Sequence, residues 1–262
     1  MLSPQSLRTI ESSQGWRQHR IEMFDLGDEG TVVVKGQRPA RGPLRFRLLS
    51  GLSAMTRNPL LRPVPSPGGR AAQQTEAARL QQLAAVGIRV PEILHVSQDY
   101  LVLRRVVGQS LQSHFERDPA QALAAFEAGL VGLQDVHHRQ QYLSQGFARN
   151  ILLEGEHLWF IDFEDDPLQA MSLFDAQARD VLAYLLSSVW INRAPRQALM
   201  SVWSTHFQRW SADIQNRVRQ ATNGLAWMRH LPRQRKPWGR DVVTVQALAE
   251  FLYHWNISEP AL

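Results

Sequence analysis

Two short apolar runs, Ile151-Leu152-Leu153 and Leu158-Trp159-Phe160-Ile161, interrupt the otherwise helical second half of this chain. Only Glu154-Gly155-Glu156-His157 separates them, so they read as a strand hairpin set among helices. Around it, apolar periodicity predicts helices over Ala120–Arg139, Ala176–Trp190, Arg196–Phe207, Ser211–Met228 and Val242–Trp255. The first hundred residues read differently. Leu7–Ser12 and Trp16–Phe24 flank the small polar turn Ser12-Ser13-Gln14-Gly15 and are predicted as strands. So are Thr31–Lys35, Val90–Leu94 and Tyr100–Arg105, with one helix over Gln73–Ala85 that stops before Gly87. A strand-rich part followed by a helical part predicts an α+β fold with two lobes, 1–106 and 107–262.

With 262 residues, 44% of them hydrophobic, the chain can bury a real core. It has no cysteine, which excludes disulfides, thiolate metal sites and a thiol nucleophile. The first fifteen residues lack the apolar run of a secretory leader. No stretch approaches the roughly 18–20 apolar residues of a membrane span, and the nearest, Val181–Ile191, contains Ser187 and Ser188. The expected location is the cytoplasm, with peripheral contact at the inner face of a membrane as an extension of it. The formal charge of +5 suits either an arginine-rich soluble enzyme or one with an anionic partner. Lys35 and Lys236 are the only lysines, and Lys35 closes the β-branched run Thr31–Val34. A compact ammonium on a buried strand differs chemically from the planar guanidinium used elsewhere in the chain.

Asn150 stands at the start of the hairpin and Asp162 just after its end. The two ends of a hairpin lie close together, so both oxygens can reach one hard cation. Magnesium takes such donors, with the rest of its shell from phosphates and water. Read alone, the same pair is equally a turn cap and a surface acid.

Several segments in order resemble the protein-kinase-like superfamily, in particular its small bacterial branch of lipopolysaccharide-core and aminoglycoside-type kinases. Val136-His137-His138 through Gln145-Gly146-Phe147-Ala148-Arg149-Asn150-Ile151-Leu152-Leu153, then Ile161-Asp162-Phe163, are similar to its catalytic and metal-binding segments. Val32-Val33-Val34-Lys35 looks like the strand lysine that holds nucleotide phosphates, and Glu76 like the glutamate that pairs with it. Ala178-Arg179-Asp180-Val181-Leu182 resembles the opening of a buried helix whose aspartate steadies the catalytic loop. The resemblance implies ATP and Mg2+ as ligands, with Lys35 and Glu76 at the phosphates and Asn150 and Asp162 at the metal. It puts Ser13 and Gly15 in the loop that covers the phosphates, where only one glycine remains, and 103–107 at the adenine.

The sequence departs from that family at the catalytic base, where Gln145 stands five residues before Asn150. An amide can orient a hydroxyl but cannot take its proton. General-base help is worth about 10²–10⁴-fold, while phosphoryl transfer rests mostly on positioning and electrostatics. Glu164, Asp165 and Asp166 follow Asp162-Phe163 and read either as a further metal ligand or substitute base, or as a solvated turn closed by Pro167. His137 and His138 read as proton carriers, or as one packed and one solvated side chain.

Residues 36–70 form a basic insertion with no acid. It holds seven arginines interspersed with apolar residues, and a short amphipathic helix is expected near Leu44–Met55. It suits anionic lipid, and hence a lipid-linked sugar acceptor, or packing on the small lobe with solvated arginines. A second basic run, 229–240, has only Trp227 and Trp238 near it, and nucleic acid is not the expected partner. The sequence therefore supports three functions. The first is an ATP- and magnesium-dependent kinase acting on a small-molecule, sugar or lipid-linked acceptor. The second is a pseudokinase that binds without turnover, and the third is a basic nucleic-acid- or membrane-binding module.

Overall fold

The structure, a computed structural model, describes residues 2–39, 60, 64–65 and 67–258. The amphipathic helix expected near Leu44–Met55, and most of the basic insertion, lie outside the described residues. The fold is α+β. Helices α1 (Pro4–Ser12) and α2 (Gly15–His19) come first, followed by β1 (Ile21–Asp25), β2 (Thr31–Gly36), α3 (Gly69–Ala85), β3 (Ile93–Val96) and β4 (Tyr100–Arg104). The four strands form one antiparallel sheet in the order β1-β2-β4-β3. The second half holds β5 (Gln109–Ser110), α4 (Leu111–Phe115), α5 (Pro119–His138) and the hairpin β6 (Ile151–Glu154) and β7 (His157–Phe160). Helices α6 (Leu173–Ser188), α7 (Arg196–Phe207), α8 (Ala212–Leu225) and α9 (Arg240–Ser258) complete it. Strand β5 pairs with β6, making a second, three-stranded sheet.

The expected strands over Leu7–Ser12 and the start of Trp16–Phe24 are helices instead. Ser3 caps α1 by accepting from the Ser6 N–H, and Pro4 occupies the first turn, where its missing N–H costs nothing. Buried Trp16 then donates its indole N–H to the Ile10 carbonyl at 2.8 Å, tying α2 back onto α1. Ile10 and Trp16 cover one face of the sheet against Val32, Val34, Tyr100 and Val102. Gly36 permits this approach, since a Cβ there would meet the Trp16 carbonyl at 2.9 Å.

The other face of the sheet belongs to the main core. Leu101 and Leu103 of β4 join Leu80 and Leu83 of α3 there, continuous with the helical half. The centre of that half is aromatic. Trp203, Phe207 and Trp255 are fully buried, with Phe207 and Trp255 edge to face at 4.5 Å between centroids. Among the described residues no helix is long and apolar enough to cross a membrane.

Candidate nucleotide site

The β6–β7 hairpin is closed one step beyond its strands: the Ile161 N–H donates to the Asn150 carbonyl at 3.0 Å. That bond holds Asn150 and Asp162 at the same end of the hairpin. Asp162 takes a φ of +72°, a left-handed conformation that is uncommon for a residue with a side chain. Such backbone strain persists only where surrounding contacts enforce it, and it concentrates at functional sites. Lys35, on β2, faces it. The Lys35 ammonium donates to Glu76 Oε1 at 2.6 Å and lies 3.4 Å from Asp162 Oδ1. Glu76, from α3, is 3% exposed, so the pair is a desolvated, charge-assisted contact.

Thus Lys35, Glu76 and Asp162, far apart in sequence, meet through their side chains, and the hairpin backbone brings Asn150 to the same end as Asp162. Neither a protein-family model nor a curated protein sequence matches the chain. Solved structures with related architecture include a complex of gentamicin with APH(2")-IIa, 12% identical, TM-score 0.46, covering 96% of this chain and 99% of that one. An ADP-bound aminoglycoside phosphotransferase, APH(2'')-Ib, is 13% identical with a TM-score of 0.38, covering 96% and 99%. The macrolide 2'-phosphotransferase MphH from Brachybacterium faecium, as apoenzyme, is 12% identical with a TM-score of 0.34, covering 97% and 93%. With every score below 0.5, the functional case stands on this chain's own side chains.

The loop before the hairpin is fixed by the helical half. Asp180, buried in α6, accepts from the Leu143 N–H at 2.6 Å. Gly146 lies so close to α6 that a Cβ would meet the Asp180 carbonyl at 2.7 Å. Ser187 accepts from the Ala148 N–H at 2.9 Å. Asn150 Nδ2 donates to the Gln145 carbonyl at 3.3 Å, which turns its amide oxygen into the group left for a ligand. His137 is buried under the loop and accepts from the Trp210 indole at 3.0 Å, while His138 is exposed.

Helix α3 reaches the same loop through Arg79, one turn beyond Glu76. Its guanidinium donates to the Tyr142 carbonyl at 2.8 Å and stacks 3.8 Å from the Tyr142 ring centroid. Burial pulls the Arg79 pKa below its ordinary value and pushes the Tyr142 phenol up. The phenol, kept protonated, donates to Asp166 at 2.8 Å.

The acidic triplet is not a solvated turn. Glu164 and Asp165 are buried at 5% and 6% exposure, and Asp166 caps the following single turn of helix. Glu164 pairs with Arg20, and Arg38 bridges Glu164 at 3.0 Å and Asp165 at 2.8 Å. Gln145 Nε2 donates to Asp165 Oδ2 at 3.0 Å, so the base position and the acidic triplet are one network. Sequence reasoning named Glu164 as a candidate ligand or base but missed its partners Arg20 and Arg38 at this site. Their signal was present only as arginines at either end of the β1–β2 region.

Ser13 and Gly15 lie about the carboxylate of Glu22. Ser13 donates to both oxygens of Glu22 at 2.9 and 2.7 Å, and the Trp16 N–H donates to the same carboxylate at 2.8 Å. A Cβ on Gly15 would lie 2.5 Å from that carboxyl. Their segment joins two helices and wraps Glu22; it is not a turn between strands.

Asn150 and Asp162 offer hard oxygen donors of the kind magnesium takes. No group of three or more His, Cys, Asp or Glu side chains suited to a metal occurs among the described residues. Such a pair fits an ion whose remaining ligands are phosphate and water rather than a metal caged by protein.

Proposed function

We propose that the chain binds ATP with magnesium between its two halves, as a kinase-like phosphotransferase. One observation carries the reading: the Lys35–Glu76 pair at 2.6 Å, directed at Asp162, which a hairpin bond holds beside Asn150. Glu76 fixes the ammonium of Lys35 so that its charge is aimed into the cleft, where it would neutralise nucleotide phosphate. Asn150 and Asp162 would hold magnesium, which supplies further charge neutralisation at the phosphates. Gln145, oriented by Asp165, presents its amide carbonyl to a hydroxyl and so positions an acceptor without taking the proton. The acceptor we have in view is a small molecule or sugar.

Binding without turnover is the second reading, and a specific contact favours it. The carboxylate nearest Gln145, that of Asp165, is engaged by Arg38 at 2.8 Å and is poorly placed to act as base. Calorimetry of ATP with and without magnesium tests what both readings share: magnesium-dependent binding is expected, and its absence removes both in favour of a basic nucleic-acid- or membrane-binding module. ATP consumption in the presence of sugar, lipid-linked and protein acceptors then separates them. An active enzyme loses turnover in Asp162→Ala, whereas no consumption with any acceptor leaves the pseudokinase reading.

A further inference from the structure

Glu164 is surrounded by cations to a degree its own charge does not call for. Arg20 pairs with its Oε1, Lys35 lies 3.4 Å from the same oxygen, and Arg38 sits 3.0 Å from Oε2. These three come from separate places: the residue after α2, strand β2, and the segment just beyond it. Glu250 also gathers arginines, Arg196 and Arg233, but theirs is a surface arrangement, with side chains 45% and 71% exposed. The cations about Glu164 are 11–29% exposed, and Lys35 among them also lies 3.4 Å from Asp162.

In protein kinases the phosphate-binding lysine follows a Gly-rich loop that covers the phosphates. Here two helices precede β1, and the described segment before that strand holds a single glycine, Gly15. What reaches that place is Arg20. Its backbone takes a φ of +69°, and the Gly36 N–H donates to its carbonyl at 2.6 Å, fixing it beside the strand of Lys35. A guanidinium presents paired N–H donors that match phosphate as they match carboxylate. Among the described residues, with Glu164 in place, the cluster sets three cations (Arg20, Lys35, Arg38) against four carboxylates (Glu76, Asp162, Glu164, Asp165), and the Glu164 charge itself disfavours an incoming anion.

We infer that Arg20 and Arg38 grip phosphate together with Lys35, and that Glu164 is a built-in stand-in for a phosphate group that must yield before a nucleotide's oligophosphate enters. The inference rests on the proposed nucleotide reading for its physiological ligand, but the cradle is testable without adenine.

The experiment is calorimetric titration of the full chain with inorganic tripolyphosphate, beside a titration with magnesium and ATP. Glu164→Gln is expected to bind tripolyphosphate roughly tenfold more tightly than the unaltered chain, about the effect of one charge-assisted contact. Adding Arg20→Ala to that variant is expected to remove the gain. Equal or weaker binding by Glu164→Gln overturns the inference. Should that variant fail to fold, Arg20→Ala and Arg38→Ala are read singly in the unaltered background, where Glu164 keeps its other cations. Each is expected to weaken tripolyphosphate binding about tenfold, and unchanged binding overturns the cradle. Magnesium-dependent ATP binding with tripolyphosphate binding indifferent to Glu164 removes this inference and leaves the nucleotide reading standing. A tripolyphosphate gain without any preference for ATP does the reverse.

Discussion

Residues 140–150 enter the β6–β7 hairpin held mainly by hydrogen bonds from the helical half, with Arg79 of α3 added at Tyr142, whereas 161–166 leave it held by cations from the strand-rich half. The first stretch is braced by directional hydrogen bonds. Asp180 takes the Leu143 N–H, Ser187 takes the Ala148 N–H, and Gln177 donates to the Gln141 carbonyl at 2.9 Å. The second is braced by Lys35, Arg20 and Arg38 acting on Asp162, Glu164 and Asp165. Hydrogen bonds of the first kind set a geometry once and keep it. Ion pairs of the second kind respond to whatever other charge enters, including a ligand. The hairpin thus joins a fixed shelf to an electrostatically adjustable one, and the candidate ligands Asn150 and Asp162 stand one on each.

The largest expected effect comes from stripping a cation from the adjustable side. Lys35→Met leaves Glu76, 3% exposed, without its 2.6 Å partner. Removing one member of a buried pair costs about 3–5 kcal/mol, while replacing both by apolar side chains of similar volume is often neutral. Urea midpoints should therefore fall sharply in Lys35→Met and recover most of the loss in Lys35→Met with Glu76→Leu. If the double variant is no better than the single one, the pair is not the source of the cost. The comparison would then lose its electrostatic half.

A smaller loss is expected on the fixed side. Asp180→Ala leaves the buried Leu143 N–H without an acceptor, worth about 1–3 kcal/mol. Asp180→Asn keeps an amide oxygen for that bond and should retain most of the stability.

How far this site was legible in the sequence follows the same division. Strand β2, helix α3, the hairpin and the C-terminal helices are periodic apolar patterns, and each lies within a few residues of its expected bounds. Asn150 and Asp162 could be named because they bracket the hairpin and Lys35 because it closes an apolar strand, whereas Glu76, inside α3, was named through the family resemblance. The N-terminus was misread although the three-residue step from Leu7 to Ile10 is a helical spacing and not a strand alternation, and the cap Ser3-Pro4 that supports it lies outside the apolar run. The cluster about Glu164 was illegible for a deeper reason. Arg20, Arg38 and Glu164 meet only after the sheet has formed and the hairpin has docked beside it, and no local pattern encodes a contact across 126 or 144 residues. Burial also inverted the meaning of the triplet: three acids before a proline suggest solvent, but two of them are core side chains matched by arginine.

The smallest effect tests whether charge on the helical side acts differently from charge on the adjustable side. Asp175, in the first turn of α6, forms a capping box with Ser172. It accepts from the Ser172 hydroxyl at 2.7 Å, and Ser172 accepts in turn from the Asp175 N–H at 3.2 Å. Arg217 of α8 donates to its other oxygen at 2.7 Å. Burial raises the Asp175 pKa, but the hydrogen bonds from Ser172 and Arg217 outweigh it and hold the carboxyl below its ordinary value of 3.8. A depressed carboxyl pKa stabilises the fold fully above that ordinary value, and the contribution fades as the pH falls through the folded-state value. Asp175→Asn should therefore cost about 1 kcal/mol at about pH 7, the scale of a lost helix cap. The deficit should narrow as the pH falls below the ordinary carboxyl value of 3.8. Because this charge works as a cap, tripolyphosphate binding should be unchanged in the same variant. A deficit that widens in acid, or a shift in tripolyphosphate affinity, would show that Asp175 belongs electrostatically to the cleft and would move the line between the two sides past residue 172.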